Sequence, residues 1–191
     1  MNICVYCASS GRISPVYFDA AGRLAGELVK AGAFVVYGGG ASGLMGKLAD
    51  TVLAEGGRIR GVIPHFMDKI EWTHPGLTEL VLTETMQERK MKFLEGTDAL
   101  VALPGGTGTL EELLEAITLK RLGLLTIPIV ILNTAGYYDP LREMFEKAVR
   151  ENFMRDKHRQ MWTFVNEPEE VLPAIQGAAA WDKDAIRFAV P

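Results

Sequence analysis

The sequence predicts an α/β fold: a single doubly wound, Rossmann-like domain whose mostly parallel sheet carries helices on both faces. Three observations lead there. Short apolar runs alternate with stretches of helical periodicity, the pattern of parallel strands joined by crossover helices. Three strand ends open into loops of small residues: CASSG (Cys7 to Gly11), YGGGASG (Tyr37 to Gly43) and LPGGTGT (Leu103 to Thr109). The 191 residues suffice for one domain with a sizeable core, and no linker, repeat or low-complexity segment divides them.

The elements follow in order. Ile3 to Cys7 is a short apolar strand. Pro15 to Lys30 has helical periodicity, with Ser14 as N-cap and Pro15 at the first helical position. Phe34 to Tyr37 is a strand, Leu44 to Ala54 a helix, Arg58 to Ile63 and Leu80 to Thr83 two further strands. Thr85 to Leu94 is helical and Ala99 to Leu103 a strand. Leu110 to Leu122 is a helix, Ile129 to Leu132 a strand and Tyr138 to Arg150 a helix. A short strand around Phe164 and Val165 and a helix from Pro168 to Gln176 complete the domain, residues 1–176. Residues 177–191 (GAAAWDKDAIRFAVP) have no clear period and read as a tail, loose or docked on a partner.

Composition excludes several function classes. A net charge of -4 speaks against a surface for nucleic acid or an anionic membrane. No apolar run approaches the roughly 20 residues of a membrane span. The start, MNICVYCASS, reads as a strand and not as a signal peptide, so a cytoplasmic protein is expected. Cys4 and Cys7 form C-x-x-C, but on a strand residues three apart face opposite ways, whereas a redox pair needs a helix N-terminus. Two small core residues fit better. His65, His74 and His158 share no ligand-like spacing, so no metal is expected.

In open α/β sheets ligands bind beyond the carboxyl ends of the strands, where the three loops lie. Gly38, Gly40 and Gly43 satisfy G-x-G-x-x-G between strand and helix. A dinucleotide fingerprint would sit at the first strand-helix turn, with an acid ending the next strand. This is the second turn, and the next strand ends Gly61-Val62-Ile63-Pro64. Tight turns with close packing, or a backbone at Gly39 and Gly40 that approaches a ligand, both account for the motif. In the third loop, Gly105, Gly106 and Gly108 let amides turn inward at a helix start, where free N–H groups and the dipole favour an anion. Thr107 and Thr109 add hydroxyls. The loop suits a phosphate, yet the P-loop lysine is missing, which argues against an NTPase.

Two side chains stand beside this loop. Thr109-Leu110-Glu111-Glu112 has the T-x-x-E form of a capping box, which by itself would justify Glu112. Helix geometry also places Glu112 nearly opposite the apolar stripe of Leu110, Leu113, Leu114 and Ile117, next to Ala116 and Leu119. In MQERK, Lys90 falls within an apolar arc with Met86, Met91, Phe93 and Leu94, and Arg89 at its edge. Snorkelling stems or cations held for a phosphate or carboxylate both explain that placement.

These pieces together resemble the Lonely Guy family, the cytokinin riboside 5′-monophosphate phosphoribohydrolases, some of which carry an older lysine decarboxylase label. The family pattern P-G-G-x-G-T-x-x-E matches Pro104, Gly105, Gly106, Gly108, Thr109 and Glu112; YGGGASGLMG (Tyr37 to Gly46), Glu88-Arg89-Lys90 and GYYDPL (Gly136 to Leu141) match as well. The resemblance runs to about Val171. It implies hydrolysis of the N-glycosidic bond of adenine-type nucleoside 5′-monophosphates, without a cofactor, by a homodimer or larger assembly with sites near the subunit contact. It implies Arg89 and Glu112 as the catalytic pair, and Glu71, Lys90, the loop Gly106 to Glu112 and Thr118 as nucleotide contacts. Leu119-Lys120-Arg121-Leu122 is more basic here than in plant relatives.

The implied chemistry agrees with the residues. Ribosyl C–N cleavage passes through an oxocarbenium-like state, which a carboxylate stabilises directly or by activating water. Loop amides would turn phosphate binding into positioning of the sugar. Two rivals remain at this stage. A nucleotide or molybdenum-cofactor carrier would need neither Glu112 nor Arg89. A pyridoxal-phosphate decarboxylase would need a Schiff-base lysine that nothing marks.

Overall fold

A computed structural model describes residues 1–68 and 73–189 of the chain. β1 (Asn2–Tyr6) lies at the middle of the sheet. β2 (Phe34–Tyr37), β3 (Arg58–Pro64) and β4 (Glu79–Thr83) extend it on one side. β5 (Ala99–Ala102), β6 (Ile129–Leu132) and β7 (Thr163–Val165) extend it on the other. The order is β4-β3-β2-β1-β5-β6-β7, with every described pairing parallel. The order reverses between β1 and β5, which are in register as Ile3 with Ala99 and Tyr6 with Ala102. That reversal opens the crevice in which a doubly wound sheet binds its ligand.

Period-two alternation sends each strand's side chains to two cores. Ile3, Val5, Val101 and Leu103 pack under α1 (Pro15–Lys30) and α2 (Gly43–Ala54). Cys4, Tyr6, Leu100 and Ala102 pack on the other face. There they meet α4 (Met86–Leu94), α5 (Thr107–Arg121) and α6 (Asp139–Arg150). Cys4 and the half-buried Cys7 thus serve opposite cores, as expected of a strand. A short α3 (His65–Asp68), not foreseen, follows β3. The last helix begins as a 3-10 turn at Pro168–Glu170 and becomes α7 at Val171–Gln176, beneath the first core.

Residues 177–189, read as a loose or partner-bound tail, instead fold back onto α5. Trp181 is buried, and its indole N–H donates to the Lys120 carbonyl at 2.5 Å. Arg121 Nε donates to the Ala189 carbonyl at 2.8 Å. Lys120 itself is only 1% exposed and donates to the Ile127 carbonyl at 2.7 Å. Burial without a carboxylate partner pushes its pKa down to about 8. The basic Lys120-Arg121 pair is therefore part of the tail's dock. No described helix is long and apolar enough to cross a membrane.

Candidate active site

The site grows from two loops on either side of the crevice. After β5 the chain passes Leu103-Pro104-Gly105 and enters α5 with Gly106 as N-cap. The sequence placed the helix start at Leu110; it comes three residues earlier. Thr109 therefore lies inside the first turn and is not the cap, and the expected Thr109–Glu112 capping box does not form. No side chain caps the helix, so its first amides, which have no intrahelical acceptor, are left for an anion. Gly105 is required by crowding: a Cβ there would lie 2.1 Å from Thr109 Oγ1.

Facing it is the loop after β1, Cys7 to Ser10. The glycine-rich loop after β2 holds it in place. The amides of Leu44 and Met45 donate to the Ala8 carbonyl at 2.9 and 3.2 Å. Gly43, at φ 61°, approaches so closely that a Cβ would lie 2.4 Å from the Ser9 carbonyl carbon. Gly39 (φ 84°) packs on Gly61 of β3, and the Gly40 carbonyl accepts from Tyr37 Oη at 3.2 Å. Neither Gly39 nor Gly40 lines the cleft. Gly39 and Gly43 pack against backbone, whereas Gly38 and Gly40 pack against the Met45 side chain, and Gly38 lines the cleft.

Between the loops is a cleft of about 370 Å³. Ser9, Ser10 and Gly106 to Thr109 form its polar wall, Met45, Met67 and Met86 its apolar one, and Arg89 and Glu112 close it. The size and the mix of apolar wall with few polar groups suit a small molecule. Arg89 is 6% exposed, far deeper than the arc's edge suggested. Its Nε donates to the Val62 carbonyl at 3.0 Å and its Nη2 to the Gly38 carbonyl at 3.2 Å. Its Nη1 stands 3.6 Å from Glu112 Oε1, and the guanidinium lies 4.9 Å from the Phe93 ring centroid. Gly38 must be glycine for this, since a Cβ would sit 2.9 Å from Arg89 Nη2. Thr85 caps α4 by accepting from the Glu88 amide at 3.1 Å, which fixes the turn bearing Arg89.

The cleft brings together Arg89, Gly106, Thr107, Gly108, Thr109 and Glu112. It leaves out Lys90, whose Nζ instead pairs with Glu111 Oε1 at 2.6 Å and Glu115 Oε2 at 2.9 Å. Thr118 is exposed, its hydroxyl turned to the Leu114 carbonyl at 2.8 Å. Gly105 borders a separate apolar recess behind the loop. Glu71 lies outside the described residues. The sequence reading missed Ser9, Ser10, Tyr6 and Met67, although CASSG was marked as a strand-end loop. Burial, then the charge of Glu112, drives the Cys7 thiol far above its ordinary range, so it stays protonated at the cleft wall.

The comparisons with known proteins agree. The family model described as "Possible lysine decarboxylase" matches residues 45–175. A cytokinin riboside 5′-monophosphate phosphoribohydrolase of Arabidopsis thaliana is 42% identical over 175 residues, 92% of this chain and 82% of its own. One of Oryza sativa subsp. japonica is 39% identical over 190 residues, covering 95% and 78%. Among solved structures, the molybdenum cofactor carrier protein of Chlamydomonas reinhardtii superposes with a TM-score of 0.70 at 18% identity, over 92% of this chain and 95% of that one. At that identity the likeness speaks for the fold. The match over most of the chain, with the glycine loop and the Arg89–Glu112 pair in one cleft, places the chain in the Lonely Guy family.

Proposed function

We propose that this cleft hydrolyses the N-glycosidic bond of adenine-type nucleoside 5′-monophosphates, giving free base and ribose 5-phosphate. One observation carries the reading: a carboxylate paired with a buried guanidinium faces the same cleft as an uncapped helix N-terminus. The 5′-phosphate accepts from the loop amides, Thr107 and Thr109, and the serines opposite. The sugar then lies about one helical turn along α5, at Glu112. As the C1′–N bond breaks, Glu112 stabilises the positive charge on the ribose or orients the attacking water. The water's hydroxyl goes to C1′ and its proton to the departing base. Arg89, held by two backbone carbonyls, keeps Glu112 in place. The phosphoribohydrolase relatives support this substrate class.

The reading includes a homodimer. Met91 and Leu114 are exposed beside Lys90 and Thr118, two of the expected nucleotide contacts that a single chain leaves outside its cleft. A second copy on this face would bring them to a site, and sedimentation would show the dimer.

The test is chromatography of base released from AMP and from N6-isopentenyl-AMP, wild type beside Glu112→Gln. Release by the wild type alone establishes the hydrolase and its carboxylate. Equal release by both proteins removes Glu112 from the chemistry. Tight binding without release by either protein makes the chain a carrier.

A further inference from the structure

The motif GYYDPL has no part in the cleft, yet two of its side chains reach the loop behind it. Tyr137 Oη donates to the Gly105 carbonyl at 2.6 Å. Tyr138 Oη, on a buried ring, donates to the Leu103 carbonyl at 2.7 Å. The turn that presents them is rigid. Ala135 and Gly136 are left-handed, at φ 54° and 71°. Asn133 accepts from the Tyr138 amide at 2.6 Å and donates to Asp139 Oδ1 at 2.8 Å. The two tyrosine rings meet edge to face at 5.0 Å, and Tyr17 stacks the same way on Tyr137 at 5.8 Å.

Peptide geometry gives these bonds a consequence. In a trans peptide the C=O and the next N–H point in opposite directions. Tyr137 lies in the apolar recess of about 110 Å³ behind the loop, and Gly106 lies between that recess and the cleft. Fixing the Gly105 carbonyl toward Tyr137 therefore turns the Gly106 amide away from the recess, toward the cleft. Two residues earlier the Leu103 carbonyl is fixed by Tyr138, and the Leu103 amide by the Tyr6 carbonyl at 2.9 Å. The intervening Pro104 has no N–H to misdirect. Glycine on both sides of this peptide would otherwise leave it free to flip.

We propose that Tyr137 and Tyr138 are positioning residues, whose hydroxyls lock the Leu103–Gly106 peptides so that the loop's amides face the phosphate. This rests on the phosphate placement given above.

The experiment is calorimetric titration of ribose 5-phosphate, and separately of adenine, into wild type, Tyr137→Phe, Tyr138→Phe and Tyr17→Phe. Tyr137→Phe keeps its ring and loses only the hydroxyl. Its affinity for ribose 5-phosphate is expected to fall about 5- to 10-fold, the scale of one lost hydrogen bond. Adenine affinity stays as in wild type, and with AMP as substrate KM rises while kcat changes little. Tyr17→Phe, whose hydroxyl makes no bond to the loop, behaves as wild type. Unchanged ribose 5-phosphate affinity in Tyr137→Phe overturns the proposal, and so does an equal loss for adenine. If Tyr138→Phe fails to fold, the more exposed Tyr137 decides alone. Wild type that binds ribose 5-phosphate but releases no base from AMP defeats the hydrolase reading and leaves the variant comparison decisive. Wild type that does not bind ribose 5-phosphate defeats both.

Discussion

Arg89 Nη1 stands 3.6 Å from Glu112 Oε1, while the other two nitrogens of the same guanidinium are bound to the carbonyls of Val62 and Gly38. The arginine is thus anchored to two strands' ends and offers its remaining face to the carboxylate. A lysine gathers its three donors on one nitrogen and cannot match the guanidinium's spread across these three partners.

Arg89→Lys should therefore lower kcat about 100-fold, the cost of removing one aimed donor from a reacting centre. It should also cost about 2 kcal/mol of stability, because a buried carbonyl loses its donor. Base-release kinetics and urea denaturation check the two effects separately.

Gly43→Ala should disable the site by displacing the Ser9–Ser10 side of the cleft's polar wall. Its Cβ would collide with the Ser9 and Ser10 backbone at 2.4 to 2.6 Å, and φ is already 61°. Nucleotide affinity is expected to fall about 10-fold or more, and stability by about 2 kcal/mol. Gly56→Ala is the control: its φ is 76°, but nothing lies within 4 Å. It should cost about 1 kcal/mol and leave binding intact. Equal binding by the two variants would dissociate Gly43 from the serine loop.

The folded-back tail predicts a graded loss. Trp181→Phe keeps most of the buried ring and removes the bond to the Lys120 carbonyl, costing about 1 kcal/mol. Trp181→Ala opens a cavity in the core beneath α5, costing about 4 kcal/mol. Urea midpoints of the three proteins would order them; identical midpoints would mean that the tail is not docked in solution.

Lys120 carries a pH signature. Its pKa falls from the ordinary 10.5 to about 8 on folding, because burial disfavours the charge. Between those values the unfolded chain binds a proton that the native state has released, so this contribution to stability rises with pH. Cys4, Cys7, Tyr6, Tyr37 and Tyr138 act oppositely, since burial raises all five and the unfolded chain ionises first. They are common to wild type and Lys120→Met, and cancel in the difference. Wild type should therefore gain on Lys120→Met as pH climbs from 8 toward 10.5, by denaturation at fixed pH steps. A constant difference would show that Lys120 is solvated.

Strand and helix alternation was legible because the central strands β1, β2, β5 and β6 are buried on both faces and read as continuous apolar runs, such as Ala99 to Ala102. The acid at Glu112 was legible for a partly mistaken reason. T-x-x-E looks the same whether the helix starts at Leu110 or at Thr107, and only the start decides whether Thr109 caps. The glycines of YGGGASG left two readings open because a position that forbids Cβ does not say what approaches it; at Gly43 it is the Ser9 backbone. Lys120 was unreadable as a core residue, because its burial depends on Trp181 returning from 61 residues away. Ser9 and Ser10 left only the faint signal of small residues after a strand.

The reversal of strand order between β1 and β5 has a consequence for the pair it divides. Arg89 follows β4, the last strand of the half that winds one way; Glu112 follows β5, the first strand of the half that winds the other. Neither half of the chain owns the site. A cut in the turn near Gly96 would yield two fragments, each with one member of the pair and neither with a cleft. Recovery of activity on mixing them would then report the re-formed β1–β5 seam and nothing less, making the reaction itself an assay for completed assembly of the sheet.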